Sequence, residues 1–190
     1  RIIGGLLSYS RDGGVDLAAT DLNATVDASL LLVKHELGTV QIAVVKNLDT
    51  SVPLLNLDEF KMQQVFINLL TNAIHAIGRD GEIRVSTSLE TVAAGAHVGS
   101  HRHGPGARVA VVRIEDSGPG IPKEHLDKLF DPFFTTKPVG RGTGLGLPVC
   151  RQIVEMHGGT IHIGNHDGGG ARATVTLTLE TTATKSVPVD

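Results

Sequence analysis

DSGPGIPKEHLDKLFDPFFTTKPVGRGTGLGL, residues Asp116–Leu147, holds two glycine clusters on either side of a phenylalanine-rich stretch. Glycine lets a backbone approach a ligand closely and adopt positive φ. A glycine-rich loop running into a helix start presents free N–H groups that suit phosphate. An acid, Asp116, heads the first cluster, and the second, GRGTGLGL at Gly140–Leu147, opens an apolar helical pattern. The pair reads as a nucleotide held at both ends, with the base at one loop and phosphates at the other.

Standard phosphate motifs are absent. No GxxxxGK[ST] occurs, and Gly142-x-Gly144 meets Leu147 where GxGxxG needs a third glycine. HRD and DFG are missing too. The nucleotide must be held by another architecture.

Upstream, Asp58 is a helix N-cap for Glu59–Ile77, whose Met62, Val65, Phe66, Leu69, Leu70, Ala73 and Ile77 recur with helical period. Gln64, Asn68 and Asn72 share one face of this helix at i, i+4, i+8. Asparagine is a poor interior helix residue. Either these side chains cap neighbouring strands or face water, or Asn72 offers an amide oxygen to Mg2+, a hard cation that prefers oxygen ligands and substrate phosphates. His75, one turn on, is either a phosphate contact or a plain surface histidine. Asp116 ends the strand pattern VAVVRIE and either forms an Asx turn or accepts a hydrogen bond from an adenine amino group.

The remaining pattern surrounds these features with strands and helices. Arg1–Ser10 reads as the last turns of a helix stopped by RDGG, and Val15–Ala18 as a short strand. Asp21 caps a helix over Leu22–Leu37, with Leu22, Val26, Leu30 and Val33 on one side. Val40–Leu48, Leu54–Leu57, Ile83–Leu89 and Arg108–Glu115 read as strands, and Glu90–Ala107 as a long mobile surface loop. Helices are expected at Lys123–Phe130 and Leu145–His157, followed by a hairpin of Thr160–Gly164 and Ala171–Leu179. The polar tail after Glu180 is expected to be disordered. This order is not a regular βαβα alternation. It predicts an α/β fold, a two-layer sandwich of one mixed sheet covered by about three helices.

Composition narrows the function classes. With 41% hydrophobic and 19% charged residues the chain is a globular protein, and its net charge of −3 leaves no electrostatic footprint for nucleic acid and no polybasic membrane patch. One cysteine, Cys150, excludes an internal disulfide framework and fits a reducing compartment; the domain is expected to be cytoplasmic, whether its parent protein is membrane-anchored or not. No apolar run is long enough to span a bilayer, and RIIGGLLSYSRD is wrongly built for a signal peptide.

NLLTNAIHAI (Asn68–Ile77), DSGPGIP, LFDPFFTTK and GTGLGL resemble, in order and spacing, the N, G1, F and G2 boxes of bacterial sensor histidine kinases, and VEMHGGTIHI (Val154–Ile163) matches their usual sequel. These kinases share the Bergerat ATP-binding fold with gyrase, Hsp90 and MutL ATPases. The resemblance covers about residues 1–180. It implies a C-terminal end of a dimerisation helix at 1–12, a catalytic ATP-binding domain at 13–180, and a tail at 181–190.

The resemblance also implies roles. Asn72 would be the Mg2+ ligand with Asn68 supporting it, and Asp116 the adenine-reading acid, with Gly118 and Gly120 shaping the pocket and Ile121 packing on the base. Phe130, Phe133 and Phe134 would anchor a flexible ATP lid. Lys137 and Arg141, if not simply solvated lid charges, would contact phosphate. Gly142, Thr143, Gly144, Leu145 and Gly146 would bring backbone N–H groups to the phosphates. Catalysis of phosphoryl transfer is mostly positioning and charge neutralisation, here by Mg2+, Lys137 and the lid backbone. Related ATPases place a water-activating glutamate where this chain has Asn68, so transfer to a protein acceptor is expected rather than free hydrolysis.

The expected partners are the protein's own dimerisation and phosphoacceptor helices, in a homodimer, and a response regulator receiver domain. No nucleic acid or membrane contact is expected. His35-Glu36 has the family's acceptor dipeptide but lies inside the ATP-binding module, so the acceptor is expected upstream of residue 1. His75 and Arg172 depart from the family pattern, and Arg172 is assigned no adenine contact. His97, His101 and His103 read as a variable loop rather than a metal site. Two other functions compete: a conformational ATPase clamp of the MutL or Hsp90 kind, and a degenerate nucleotide-sensing module.

Overall fold

Side-chain caps set where the helices begin. The computed structural model describes residues 15–92, 97–98, 101–102, 106–137 and 142–179. In chain order these form β1 (Ala18–Thr20), α1 (Leu22–Thr39), β2 (Ile42–Leu48), β3 (Leu55–Leu57), α2 (Glu59–Ile77), β4 (Gly81–Thr91), β5 (His97–Val98), β6 (His101–Arg102), β7 (Arg108–Asp116), α3 (Lys123–Leu126), α4 (Gly146–Met156), β8 (Thr160–Asn165) and β9 (Ala171–Thr178). Asp21 accepts the Asn23 and Ala24 amides at the start of α1. Asp58 accepts the Lys61 amide at the start of α2, and Gly78, at φ 76°, ends that helix.

The main sheet has five strands in the order β2-β4-β7-β9-β8. Only β2 and β4 run parallel, with Ile42 opposite Gly81. A parallel pair needs a crossover, and α2 lies on that connection. The other neighbours are antiparallel. α2 packs between α1 and α4. Leu22, Val26, Leu30 and Val33 of α1, the apolar stripe of α2, and Cys150, Ile153 and Val154 of α4 share one core with Ile83, Val85, Ala110, Val112 and Ile114 of the sheet. This is the two-layer α/β sandwich expected. Successive strand residues face opposite ways, so Val109 and Val111 point to the other face, where they are buried with Val92 packed against them.

Four local readings need correction. The first strand is Ala18–Thr20, not Val15–Ala18. Its register is set by β3, and the Asp16 amide donates to Asp58 Oδ2 instead of a strand partner. The expected loop from Glu90 is shorter, because β4 continues to Thr91 and the Val92 amide donates to the Ala107 carbonyl. Within it, His97 pairs with Arg102 and Val98 with His101; His103 lies outside the described residues. The helix at Lys123 stops at Leu126, because the hydrogen bonds His125–Pro122, Lys128–His125 and Asp131–Lys128 span three residues and tighten the chain into turns. The last helix begins at Gly146 rather than Leu145.

Arg1–Ser10, Arg141 and the tail from 180 onward also lie outside the described residues. Among the described residues, no helix is long and apolar enough to cross a membrane.

Candidate functional site

β7 delivers Asp116 to the end of the sheet, where its side chain is only 7% exposed. Its Oδ1 accepts the Gly118 amide at 2.9 Å and the Ala171 amide at 3.2 Å. A charged oxygen fixed by two backbone donors is a rigid acceptor. The following loop is pinned from two directions. The Ser117 amide donates to the Glu82 carbonyl, and Ser117 Oγ accepts the Glu82 amide at 2.9 Å. Asn165 Oδ1 accepts the Ile121 amide at 2.7 Å while its Nδ2 donates to the Ile121 carbonyl at 2.8 Å.

The two glycine loops meet the same helix. A Cβ at Gly118 would lie 3.2 Å from the Ala76 carbonyl, so the first loop rests against the last turn of α2. A Cβ at Gly146 would lie 3.9 Å from Asn68 Oδ1, so α4 begins against the middle of α2. Asn72 stands one turn from each, between the loops. Asn68 and Asn72 are both half-buried, while the apolar stripe of α2 faces the core. Among the described residues, no side chain caps the N-terminus of α4, and its first amides suit an anion.

Beneath this junction Cys150 is fully buried, its thiol donating to the Val65 carbonyl at 3.8 Å. Burial pushes that thiol up to about 12, only partly offset by a hydrogen bond with Asn68. It is therefore packing, not a nucleophile.

The described part of the segment between the loops folds back over α2, as far as Lys137. Lys137 Nζ donates to Asn72 Oδ1 at 3.1 Å and lies 3.1 Å from His75 Nδ1. His75 Nε2 is 3.7 Å from Glu36 Oε1 at the end of α1. Burial holds Lys137 below the usual lysine range, and the Glu36 charge opposes that shift. The Phe133 amide donates to the Gly144 carbonyl at 2.9 Å, tying the start of the segment to the second loop. The Arg151 guanidinium lies 3.7 Å over the Phe130 ring, and Phe134 meets His125 edge-on at 5.4 Å. Phe133 departs from its expected anchoring role: at φ 69° its ring turns outward and is 74% exposed.

Sequence reasoning missed several of these contacts. Asn165, His166, Gly170 and Ala171, at the junction of β8 and β9, meet Asp116 or the loop that follows it; the Gly168–Gly170 run is their only signal. Glu36 carries no local signal beyond its place beside the decoy His35. His157 accepts the Asp58 amide at Nε2, 3.0 Å away, and its Nδ1 lies 2.7 Å from the Ile153 carbonyl, joining the end of α4 to the start of α2. Arg172 pairs with Glu115.

A cleft of about 310 Å³, lined by Asp16, Thr20, Asp21, Asp58 and Phe60 among others, opens at the opposite end of α2. It lies about 20 Å along the helix from Asn72. The Asp21 and Asp58 carboxylates already occupy helix-start amides there, which makes it unsuited to phosphate.

The donor set near Asn72 fits a hard cation only with help. Among the described residues, no group of three or more His, Cys, Asp or Glu is placed to hold a metal. Asn72 Oδ1 offers one oxygen, already facing a cationic donor. Phosphate oxygens and water would have to supply the rest, as is usual for Mg2+.

Comparison with known proteins identifies the relatives of this chain. The family model described as histidine kinase-, DNA gyrase B-, and HSP90-like ATPase matches residues 57–181. The sensor histidine kinase ZraS of Escherichia coli K12 is 36% identical over 188 residues, 99% of this chain and 36% of ZraS. The signal transduction histidine-protein kinase AtoS of the same strain is 32% identical over 187 residues, covering 98% of this chain and 28% of AtoS. The chain thus spans about a third of the length of these relatives. The nucleotide-free catalytic domain of histidine kinase ThkA superposes with a TM-score of 0.70 at 30% identity, over 87% of this chain and 97% of that one. ThkA in complex with the response regulator protein TrrA gives a TM-score of 0.70 at 26% identity, covering 92% of this chain and 45% of the ThkA chain.

Proposed function

This chain belongs to the histidine kinase-, DNA gyrase B- and HSP90-like ATPase family, and we propose that it is the ATP-binding catalytic module of a two-component sensor histidine kinase, spanning residues 13–180. The observation that carries this reading is the position of Asn72 between the two loops, with Gly118 against Ala76 and Gly146 against Asn68.

Each residue then has a task. Asp116 accepts the adenine amino group, and Ile121, clamped by Asn165, packs against the base. The amides of Gly142 to Gly146 meet the phosphates at the open start of α4. Asn72 holds Mg2+, which neutralises phosphate charge when bound. Lys137 adds a second cation from the lid. Asn68 is an amide where a hydrolase needs a carboxylate base, so the module favours transfer over hydrolysis. The acceptor is a histidine on a dimerisation helix pair, usually within a homodimer, and a response regulator receives the phosphoryl group next. ThkA has been captured with such a regulator.

The test supplies the chain in trans with the dimerisation helix pair of its own full-length protein, Mg2+ and γ-labelled ATP. Acid-labile, base-stable label on the helices supports the kinase reading. Tight ATP binding without transfer would turn the assignment to a nucleotide sensor. Rapid phosphate release without acceptor would turn it to a conformational ATPase.

A further inference from the structure

Lys137 is not a solvated lid charge. The residue is half-buried, and its ammonium donates to the one oxygen of α2 assigned above to a divalent cation. A second acceptor, His75 Nδ1, lies at the same 3.1 Å distance. For that nitrogen to accept from an ammonium, the ring proton must be on Nε2, the nitrogen facing Glu36 Oε1. Glu36, His75 and Lys137 therefore form a line ending on Asn72, built from α1, α2 and the lid. Glu36 also acts on Lys137 directly, since its charge favours the ammonium against the burial around it.

We propose that Glu36 and His75 are positioning residues that park Lys137 on Asn72 Oδ1, so that the protein carries its own competitor for the divalent cation. A divalent cation held by this oxygen would repel an ammonium bonded to the same atom. Entry of the metal–nucleotide therefore requires Lys137 to leave, and its departure frees the lid segment that carries it. The line couples metal occupancy to lid position through a single oxygen. The inference rests on Asn72 being the cation ligand.

Calorimetry of ADP binding to the 190-residue chain, with Mg2+ and with EDTA, tests it. The ratio of the two dissociation constants measures how far the metal assists the nucleotide. Glu36 and His75 are substantially exposed, so their substitution leaves the fold intact. Glu36→Gln and His75→Leu are expected to raise the ratio about fivefold, a typical coupling between linked sites. His75→Gln, which keeps an acceptor for Lys137, is expected to restore it. In a Lys137→Met background, Glu36→Gln is expected to add nothing. A ratio unmoved in Glu36→Gln and His75→Leu, while Asn72→Ala lowers it toward one, overturns the parking role and leaves the cation site standing. A ratio unchanged by Asn72→Ala overturns the cation assignment and the parking role together.

Discussion

Asn165 holds Ile121 by both of its backbone groups, accepting the amide at 2.7 Å and donating to the carbonyl at 2.8 Å. One side chain at the end of β8 thus replaces a strand partner for the loop after Asp116. Asn165→Ala removes both bonds. Because the site is exposed, the expected loss is about 1 kcal/mol, or about 3 °C in Tm. ATP affinity should fall about tenfold as the loop loosens. Thermal melts and calorimetry check both, and a variant with unchanged affinity would show that the loop is held by other contacts.

Asp116→Asn should weaken adenine-nucleotide binding by about tenfold to a hundredfold, the worth of a hydrogen bond to a charged acceptor. The amide keeps one oxygen for the Gly118 and Ala171 donors, so the fold should survive. Equal calorimetric affinity for ATP in the two proteins would remove Asp116 from the base pocket.

Asn72→Ala should abolish Mg2+-dependent phosphoryl transfer while leaving the melting temperature within about 2 °C, since the side chain is only half-buried. Chelation of the metal should reproduce the loss in the unmodified chain. Transfer at the original rate in the variant would sink the metal assignment.

Gly144 sits at φ 64°, and a Cβ there would lie 2.3 Å from the Phe133 carbonyl carbon. Alanine faces a left-handed backbone cost of about 1–2 kcal/mol and a backbone clash that only a shift of the lid relieves. Gly144→Ala should therefore weaken ATP more than adenosine, because the phosphates meet this loop and the base does not. Equal weakening of both ligands would place the loop elsewhere.

Burial raises the Cys150 thiol from 9.0 to about 12. The folded protein therefore holds this proton where the unfolded chain releases it. The associated stability is present below pH 9.0 and lost as pH rises toward about 12. Iodoacetamide at pH 8 should label the native chain at least about tenfold more slowly than the urea-unfolded chain. Equal rates would show that the α2–α4 junction opens readily.

Much of this molecule was legible along the chain. α2 begins and ends where Asp58 and Gly78 say it should, because capping and positive φ are local chemistry. The apolar stripes of α1 and α2 name their own buried faces because helical period and burial are one property. The five motifs in order identify the family, since each motif is a short piece of backbone with its own geometry.

Contacts across the chain were not legible. Asn165 lies 44 residues from Ile121, and nothing local marks it as a loop clamp. His157 accepts an amide 99 residues away. Phe133 reads like Phe130 and Phe134 in sequence, yet a positive φ set against Gly144 turns it to solvent. Glu36 looked like half of an acceptor dipeptide until the packing of α1 on α2 brought it to His75. Periodicity, caps and glycine loops act within a few residues, so the amino-acid sequence by itself determined the elements and the kind of ligand. Which side chains from separate elements converge depends on strand order and helix packing, so only the tertiary structure decided that Lys137 rests on Asn72.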